Sequence, residues 1–405
     1  MNDDLGLFTD PDTRQEDRAR AKSDAAARRA KRRRKRTILW VVVALVLVGG
    51  GAGAYYGYRT LSGIGSYDDF AGAGEADVVV EVKDGDSVSV IANSLKDQGV
   101  VASARAFTEA GATDNRVTAI QPGFYLMKTR MSGAAAVTRM VDKATKIVPL
   151  EVKGGYVLHD LTALDGSTTK GILSLLSDAS CVELDGAKQC VTPQQLRDAA
   201  DNADPAALGI PEWALTDVTA APRENRLEGL IMPGLYHVKP GADAVEVLKS
   251  VLATSLTRLQ SYGIPANTGS TGFRPYEVLV IASLIEKEGI TDDFGKISRV
   301  IYSRLAKPQR LELDSTVNYK LDRPHITTDD EDRERSGPYN TYKTQELPPT
   351  PIGSPGQKAI AAAINPEEGP WMYFVKCQKD GKSCFTNTYE EHLVVSDKAR
   401  EEGVF

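Results

Sequence analysis

The feature that most constrains this chain is a run of 22 residues, Thr37 to Tyr58, that carries no charge and opens on Ile38-Leu39-Trp40-Val41-Val42-Val43-Ala44-Leu45-Val46-Leu47-Val48. A helix of that length reaches about 33 Å, enough for the hydrocarbon core of a bilayer. The six basic residues Lys31 to Arg36 precede it, whereas only Arg59 lies between it and Lys83. The positive-inside rule places the disordered basic tail 1–36 in the cytoplasm and everything after residue 59 outside. Trp40, Tyr55, Tyr56 and Tyr58 sit where interfacial anchors belong. A cleaved signal peptide is the competing reading, because Ala52-Gly53-Ala54 looks like a small-residue cleavage site, but the 36-residue leader favours a retained single-pass anchor. Either way the body is exported.

Charge separates the two parts. Residues 1–36 hold 12 Lys/Arg against 7 Asp/Glu, a net of +5; the remaining 37 against 48 give −11, and the whole chain is at −6. An acidic body argues against nucleic acid as the main ligand, since phosphate neutralisation needs a basic face. With 41% hydrophobic residues, most of the 405-residue chain should fold, into two or three domains at roughly 150 residues each.

The four cysteines fall in two close pairs, Cys181 with Cys190 around Asp185-Gly186, and Cys377 with Cys384 around Asp380-Gly381. Two-residue Asp-Gly hairpin turns would set each cysteine opposite its partner, about 4.5–5.5 Å away at Cα, within disulfide reach. Two local disulfides, Cys181–Cys190 and Cys377–Cys384, are expected. Zinc is the weaker alternative, because there is no CxxC and the four His are scattered.

After the apolar run, residues 59–76 are rich in Gly, Ser and Ala and read as a flexible stalk. Val78 to Val82 reads as a strand, followed by a helix from Val88 to Leu95 capped by Asp86 or Ser87 and stopped by Gly99, then a second helix near Ala102–Ala110. This order resembles the start of LysM-type glycan-binding modules, although any small α+β domain shows the same pattern. Pro122-Gly123-Phe124-Tyr125 with Lys128 recurs as Pro233-Gly234-Leu235-Tyr236 with Lys239, which suggests two similar strand-turn-helix units. The intervening 153–226 reads as a spacer or insertion carrying the first cysteine hairpin.

Chemistry concentrates further on. Pro275 to Gly289 has a proline suited to a first helical turn, a glycine stop and an apolar middle, which predicts a buried helix. Glu286 shares a face with Leu279 and Ala282; a carboxylate there loses hydration and its pKa rises, as a general acid for glycosidic cleavage requires. The competing reading is an ordinary helix-end Glu paired with Lys or Arg. Glu288, about 200° further round, should not share that site. Phe294, Ile297, Val300, Ile301 and Leu305 read as the core face of the next helix. No P-loop and no dinucleotide-binding GxGxxG is present, so no metal or nucleotide cofactor is implied.

The blocks that follow are Leu313-Asp314-Ser315-Thr316, Tyr339-Asn340-Thr341-Tyr342, Leu347-Pro348-Pro349-Thr350-Pro351-Ile352-Gly353-Ser354-Pro355-Gly356, the helical Ala359 to Pro366, and Trp371 to Val375. Their order and spacing closely resemble the YceG-like family of endolytic murein transglycosylases over most of 78–396, most strongly over 275–375. The resemblance implies an α+β fold with one N-terminal transmembrane helix over 37–58, a LysM-like βααβ module over 77–152 and a catalytic domain over 227–396. It implies Glu286 as the catalytic residue. Glu228 (with Gly229 and Pro233), Asp314, Thr316, Tyr339, Asn340 and Tyr342 match family motifs and are expected to bind substrate. Asp314 could instead cap backbone N–H groups, and the tyrosines could be structural. Gly234-Leu235-Tyr236 stands where the family usually reads Asp-Thr-Tyr, and Ser383 where a His often stands.

In such enzymes the C6 hydroxyl of N-acetylmuramic acid attacks its own C1, so a single acid/base suffices and the product carries a 1,6-anhydro end. The implied partners are peptidoglycan strands, beside peptidoglycan synthases, at the outer face of the plasma membrane. A hydrolytic muramidase using Glu286, Asp314 and water, or a non-catalytic wall-binding scaffold, remains the alternative.

Overall fold

The computed structural model describes residues 40–55, 66–163, 165–321 and 330–404, in two compact units, Met1–Asp68 and Asp69–Phe405. In the first, residues 40–55 are helical and exposed throughout. No described helix is long and apolar enough to cross a membrane. The ends of the expected span, 37–39 and 56–58, lie outside the described residues, as do the tail 1–36 and the start of the stalk, 59–65.

The far end of the expected stalk belongs to the folded body. Asp69 accepts the Gly133 N–H at 2.9 Å, Glu75 pairs with Arg130 at 3.0 Å, and the Arg130 guanidinium lies 4.8 Å from the Phe70 ring centre. Backbone bonds join Glu75 and Ala76 to Thr129.

The second unit contains two apolar cores. The first is enclosed by β1 (Asp77–Val82), α1 (Val88–Asp97), α2 (Ala104–Gly111), β2 (Gly123–Lys128) and α3 (Gly133–Val141). β1 and β2 are antiparallel, with Val80 opposite Tyr125 and Val82 opposite Gly123. Of the two expected caps, Asp86 and Ser87, it is Ser87 that caps α1, by accepting the Val90 N–H, and Ser103 caps α2 in the same way through Ala106. Val80, Ile91, Leu95, Phe107, Met127 and Val137 fill the interior. The observed order is strand, helix, helix, strand.

The second core starts at β3 (Leu150–Val152) and takes in β4 (Leu161–Thr162), β5 (Thr168–Thr169), α4 (Ile172–Ala179), β6 (Val182–Leu184), β7 (Ala187–Gln189), α5 (Pro193–Asn202), α6 (Glu212–Ala220), β8 (Gly234–Tyr236) and α7 (Ala244–Ser261). It continues with α8 (Pro275–Glu288), α9 (Phe294–Ala306), α10 (Asp314–Asn318), α11 (Asp330–Glu334), α12 (Gln357–Ile364), β9 (Tyr373–Lys376), β10 (Ser383–Thr386) and α13 (Tyr389–Glu401). Leu158, Ile172, Leu176, Leu196, Ala214 and Val218 lie in the same core as the α8 residues. Residues expected as a spacer, 153–226, therefore contribute to the second apolar core, although they are inserted between the two paired strands β3 and β8.

The faint sequence echo is a structural repeat. Gly123 and Gly234 have φ of 136° and 139°, and the hydroxyls of Tyr125 and Tyr236 each donate at 2.6 Å to the carbonyl four residues back, Gln121 and Met232. Val152 lies opposite Gly234 and Leu150 opposite Tyr236, matching the pairing in the first core. The repeat extends to the preceding strands, Val80-Glu81-Val82-Lys83-Asp84-Gly85 and Leu150-Glu151-Val152-Lys153-Gly154-Gly155. The sequence reading did not find that part.

Both disulfides are present, with Cα separations of 4.2 Å for Cys181–Cys190 and 5.6 Å for Cys377–Cys384. In the first hairpin Asp185 and Gly186 have φ of 49° and 80°, as a two-residue turn of the primed kind needs. The second departs from expectation. Cys384 pairs in register with Val375, and the Gly381 N–H bonds back to Gln378, so the turn is longer and the cysteines are diagonal neighbours.

Candidate active site

Helix α8 carries the predicted acid. Pro275 occupies its first turn and Gly289 follows its end, and Tyr276 and Val278 through Ile285 are all buried. Such a helix has no freedom to rotate, because every face is packed, so the direction of its last turn is fixed. In that turn Glu286, Lys287 and Glu288 leave the axis in three directions.

Glu286 is half-buried. Its Oε2 accepts the Gly356 N–H at 2.9 Å, and its Oε1 rests against Gly154, where an added Cβ would stand 2.3 Å away. Gly154 is itself exposed. The half-buried carboxylate thus sits between two glycines from distant loops.

Lys287 joins the same two loops. Its Nζ donates to the Gly155 carbonyl at 2.6 Å, and its stem passes so close to Gly353 that a Cβ there would meet Cε at 2.9 Å. The loops also bond directly, Gly155 N–H to the Ser354 carbonyl at 2.8 Å and Ser354 N–H to that of Tyr156 at 2.7 Å. Burial lowers the Lys287 ammonium from its usual range, while the charges of Glu228 and Glu286 pull it back up. Lys287, Val157, Leu161, Ser315, Asn318, Tyr319 and Ile352 line a cavity of about 190 Å³ on the other side of this seam.

Glu288 faces α10, where it accepts a short bond from the Ser315 hydroxyl. Burial and the charge of Asp314 push it up to about 7, against the lowering pull of Ser315. As the helical spacing predicts, it serves a different neighbourhood from Glu286.

The residues matched by resemblance fall into two groups. Asp314 and Tyr342 keep partial exposure. Tyr342 donates to Asp314 Oδ1 at 2.6 Å, and Arg333 bonds both carboxylate oxygens at 3.2 Å. The others face inward. Thr316 is fully buried and bonds the Leu313 carbonyl and Thr341 hydroxyl. Tyr339 is 3% exposed and shares a 2.8 Å bond with Thr350, and Asn340 holds the carbonyls of Arg333 and Arg335. Their polar atoms are bonded within the protein, and the same three residues help line, with Lys320, Asp332 and Gly337, a cavity of about 320 Å³.

Glu228 is also inward, with no exposure at all. Gly229, at φ 70° and so close to Pro351 that a Cβ would stand 2.3 Å from it, makes the turn that sends the Glu228 side chain inside. Oε2 accepts the Leu158 N–H at 3.2 Å and the Tyr319 hydroxyl at 2.9 Å, while Oε1 is buried without a partner. Burial pushes the carboxyl up to about 7 despite these bonds and the Lys287 charge. Glu228 therefore stands behind the surface of this structure rather than at it.

A sequence profile of the YceG-like family matches residues 80–398. The chain belongs to the YceG-like family. It is 27% identical over 323 residues to an endolytic murein transglycosylase of Bacillus subtilis, covering 79% of this chain and 84% of that protein. A Streptococcus pneumoniae protein of the same description is 25% identical over 362 residues, and the match covers 84% of this chain but 61% of the pneumococcal one. The crystal structure of a YceG-like protein from Listeria monocytogenes superposes with a TM-score of 0.51 at 27% identity, covering 79% of this chain and 99% of the other. The mixed helix and sheet architecture is thus the family's α+β fold.

Lys287, Tyr319, Gly154 and Gly356 are the site residues the sequence reading missed. Lys287 lies between Glu286 and Glu288, and Gly356 ends the proline-rich block Leu347 to Gly356. Gly154 could have been found from the repeat, as the position where Asp84 of the first copy is replaced by glycine.

Proposed function

We propose that the protein is an endolytic peptidoglycan transglycosylase that cuts the bond between N-acetylmuramic acid and N-acetylglucosamine within nascent strands and leaves a 1,6-anhydro end. The observation that carries this reading is the Glu286 carboxylate, half-buried between Gly154 and Gly356, in a chain whose relatives are described as endolytic murein transglycosylases.

One carboxyl is enough for this reaction. Glu286 gives its proton to the leaving O4 as the C1–O4 bond breaks, and the C6 hydroxyl of the same muramyl residue closes on C1. The C6 proton passes to Glu286, which is restored without consuming water. Ring closure within one sugar avoids the entropy loss of bringing in a second reactant. A hydrolase would need a second carboxylate as base or nucleophile; Asp314, the candidate, has both oxygens bonded by Arg333 and one also by Tyr342. Asp314 and Tyr342 are the residues we assign to contact with the sugar, with Thr316, Tyr339 and Asn340 lining a cavity beside them and Glu228 acting from within.

The proposal includes a single-pass anchor over 37–58 with the body outside the cell membrane, a LysM-like glycan-binding role for the first core, and a place beside the synthases, where cutting limits strand length. The test is mass spectrometry of peptidoglycan digested by the full-length protein. Anhydromuramyl ends support the reading; reducing muramyl ends would transfer the protein to the hydrolases, and intact strands would favour a scaffold.

A further inference from the structure

The loop from Lys153 to Leu158 lies against the Glu286 carboxylate at Gly154 and is held by scattered bonds rather than by a ladder of its own. Its position rests on separate bonds: Lys287 to the Gly155 carbonyl, the Gly155–Ser354 and Tyr156–Ser354 bonds, the Ile172 and Leu173 N–H groups of α4 to the Val157 and Leu158 carbonyls, and the Leu158 N–H to Glu228. The first two fix the loop to α8 and to residues 353–356. The last is the one that reaches the turn holding Glu228 and Gly229, and through the Tyr319 hydroxyl it also reaches the end of α10. Tyr319 in turn accepts from Asn225 at 2.6 Å, so the Glu228 oxygen ends a short buried chain of bonds.

We propose that Glu228 is a positioning residue for the reaction: a buried shared acceptor that ties the Gly154 loop and the end of α10 together, so that Gly154 stays against the Glu286 carboxylate. The inference rests on the assignment of Glu286 as the acid. What the tie needs from Glu228 is an acceptor oxygen at that spot, which a neutral amide supplies as well. The sequence motif alone suggested contact with substrate, but a side chain with no exposure acts only through what it holds.

The experiment compares full-length Glu228→Ala and Glu228→Gln. If the tie positions Glu286, Glu228→Ala lowers kcat about 100-fold, the size of effect that small misplacement of a catalytic group produces, with KM within about twofold. Glu228→Gln recovers most of that loss, and the Leu158 amide exchanges its hydrogen faster in the Ala variant only. A raised KM with kcat unchanged would make Glu228 a substrate contact and overturn the proposal. A Gln variant as inactive as the Ala variant would overturn it in favour of a charge requirement. Should the Ala variant fail to fold, Tyr319→Phe removes one of the two bonds, and unchanged kcat and Leu158 exchange there would contradict the tie. Hydrogen exchange is read without substrate, so it tests the tie even if the wild type yields no anhydro ends and the transglycosylase reading fails.

Discussion

Oε1 of Glu286 and the backbone of Gly154 are so close that a Cβ on Gly154 would stand 2.3 Å from the oxygen, a separation that no relaxed pair of atoms holds. On the other side of the same carboxylate, a Cβ on Gly356 would stand at 3.3 Å, tight but tolerable. The carboxylate is held between unequal walls.

Gly154→Ala should therefore push the carboxylate aside and lower kcat about 100-fold. Gly154 is exposed and lies outside the positive φ range, so stability should change by less than about 1 kcal/mol. Gly356→Ala should retain most activity. Steady-state rates and melting curves of the two variants check the contrast; equal losses would mean the Gly154 contact is not the one that matters.

Asp314→Asn separates two chemistries. As a positioned group bonded by Arg333 and Tyr342, Asp314 should on loss of its charge cost about tenfold in kcat/KM, the scale of one weakened charged hydrogen bond. A nucleophile or base would instead fall as far as Glu286 does. Turnover of purified strands by both variants, side by side, distinguishes them.

Stability should depend on pH through Glu228. Its carboxyl stands at about 7 in the folded chain against an ordinary 4.5, so folding favours the protonated form. The contribution is fully present below about 4.5 and is lost as pH rises through about 7, an effect of up to ~3 kcal/mol. Glu288 acts with the same sign, reduced by its partial exposure. Urea unfolding from pH 4.5 to 8 should show the wild type losing stability relative to Glu228→Gln; parallel curves would contradict the burial argument.

Much of this was legible in the sequence. Pro275, Gly289 and the apolar run between them defined α8 almost to the residue, because each acts locally: a proline tolerated only in a first turn, a glycine that stops, a face that must be covered. The Asp185-Gly186 turn was readable for the same reason, while the Asp380-Gly381 turn was not, since the residues beside it extended the loop. The type of Tyr339 and Asn340 suits a sugar as well as a buried loop, and their inward bonds to Thr350, Arg333 and Arg335 are tertiary facts that no local pattern shows. The burial of Glu228 was not readable either; the φ of Gly229 and the wall of Pro351 turn it inward, and both are tertiary facts. Residues 153–226 read as a spacer because their apolar residues cover a core built by strands and helices on either side.

The most direct test is Glu286→Gln in the full-length protein, with digestion products identified by mass spectrometry and folding checked by melting temperature. A lone acid/base accounts for about 10²–10⁴ of a rate, so the variant should fold like the wild type and release anhydromuramyl ends at least 100-fold more slowly. A folded Gln variant that cuts strands at the wild-type rate, with the same anhydro ends, would contradict the assignment of Glu286.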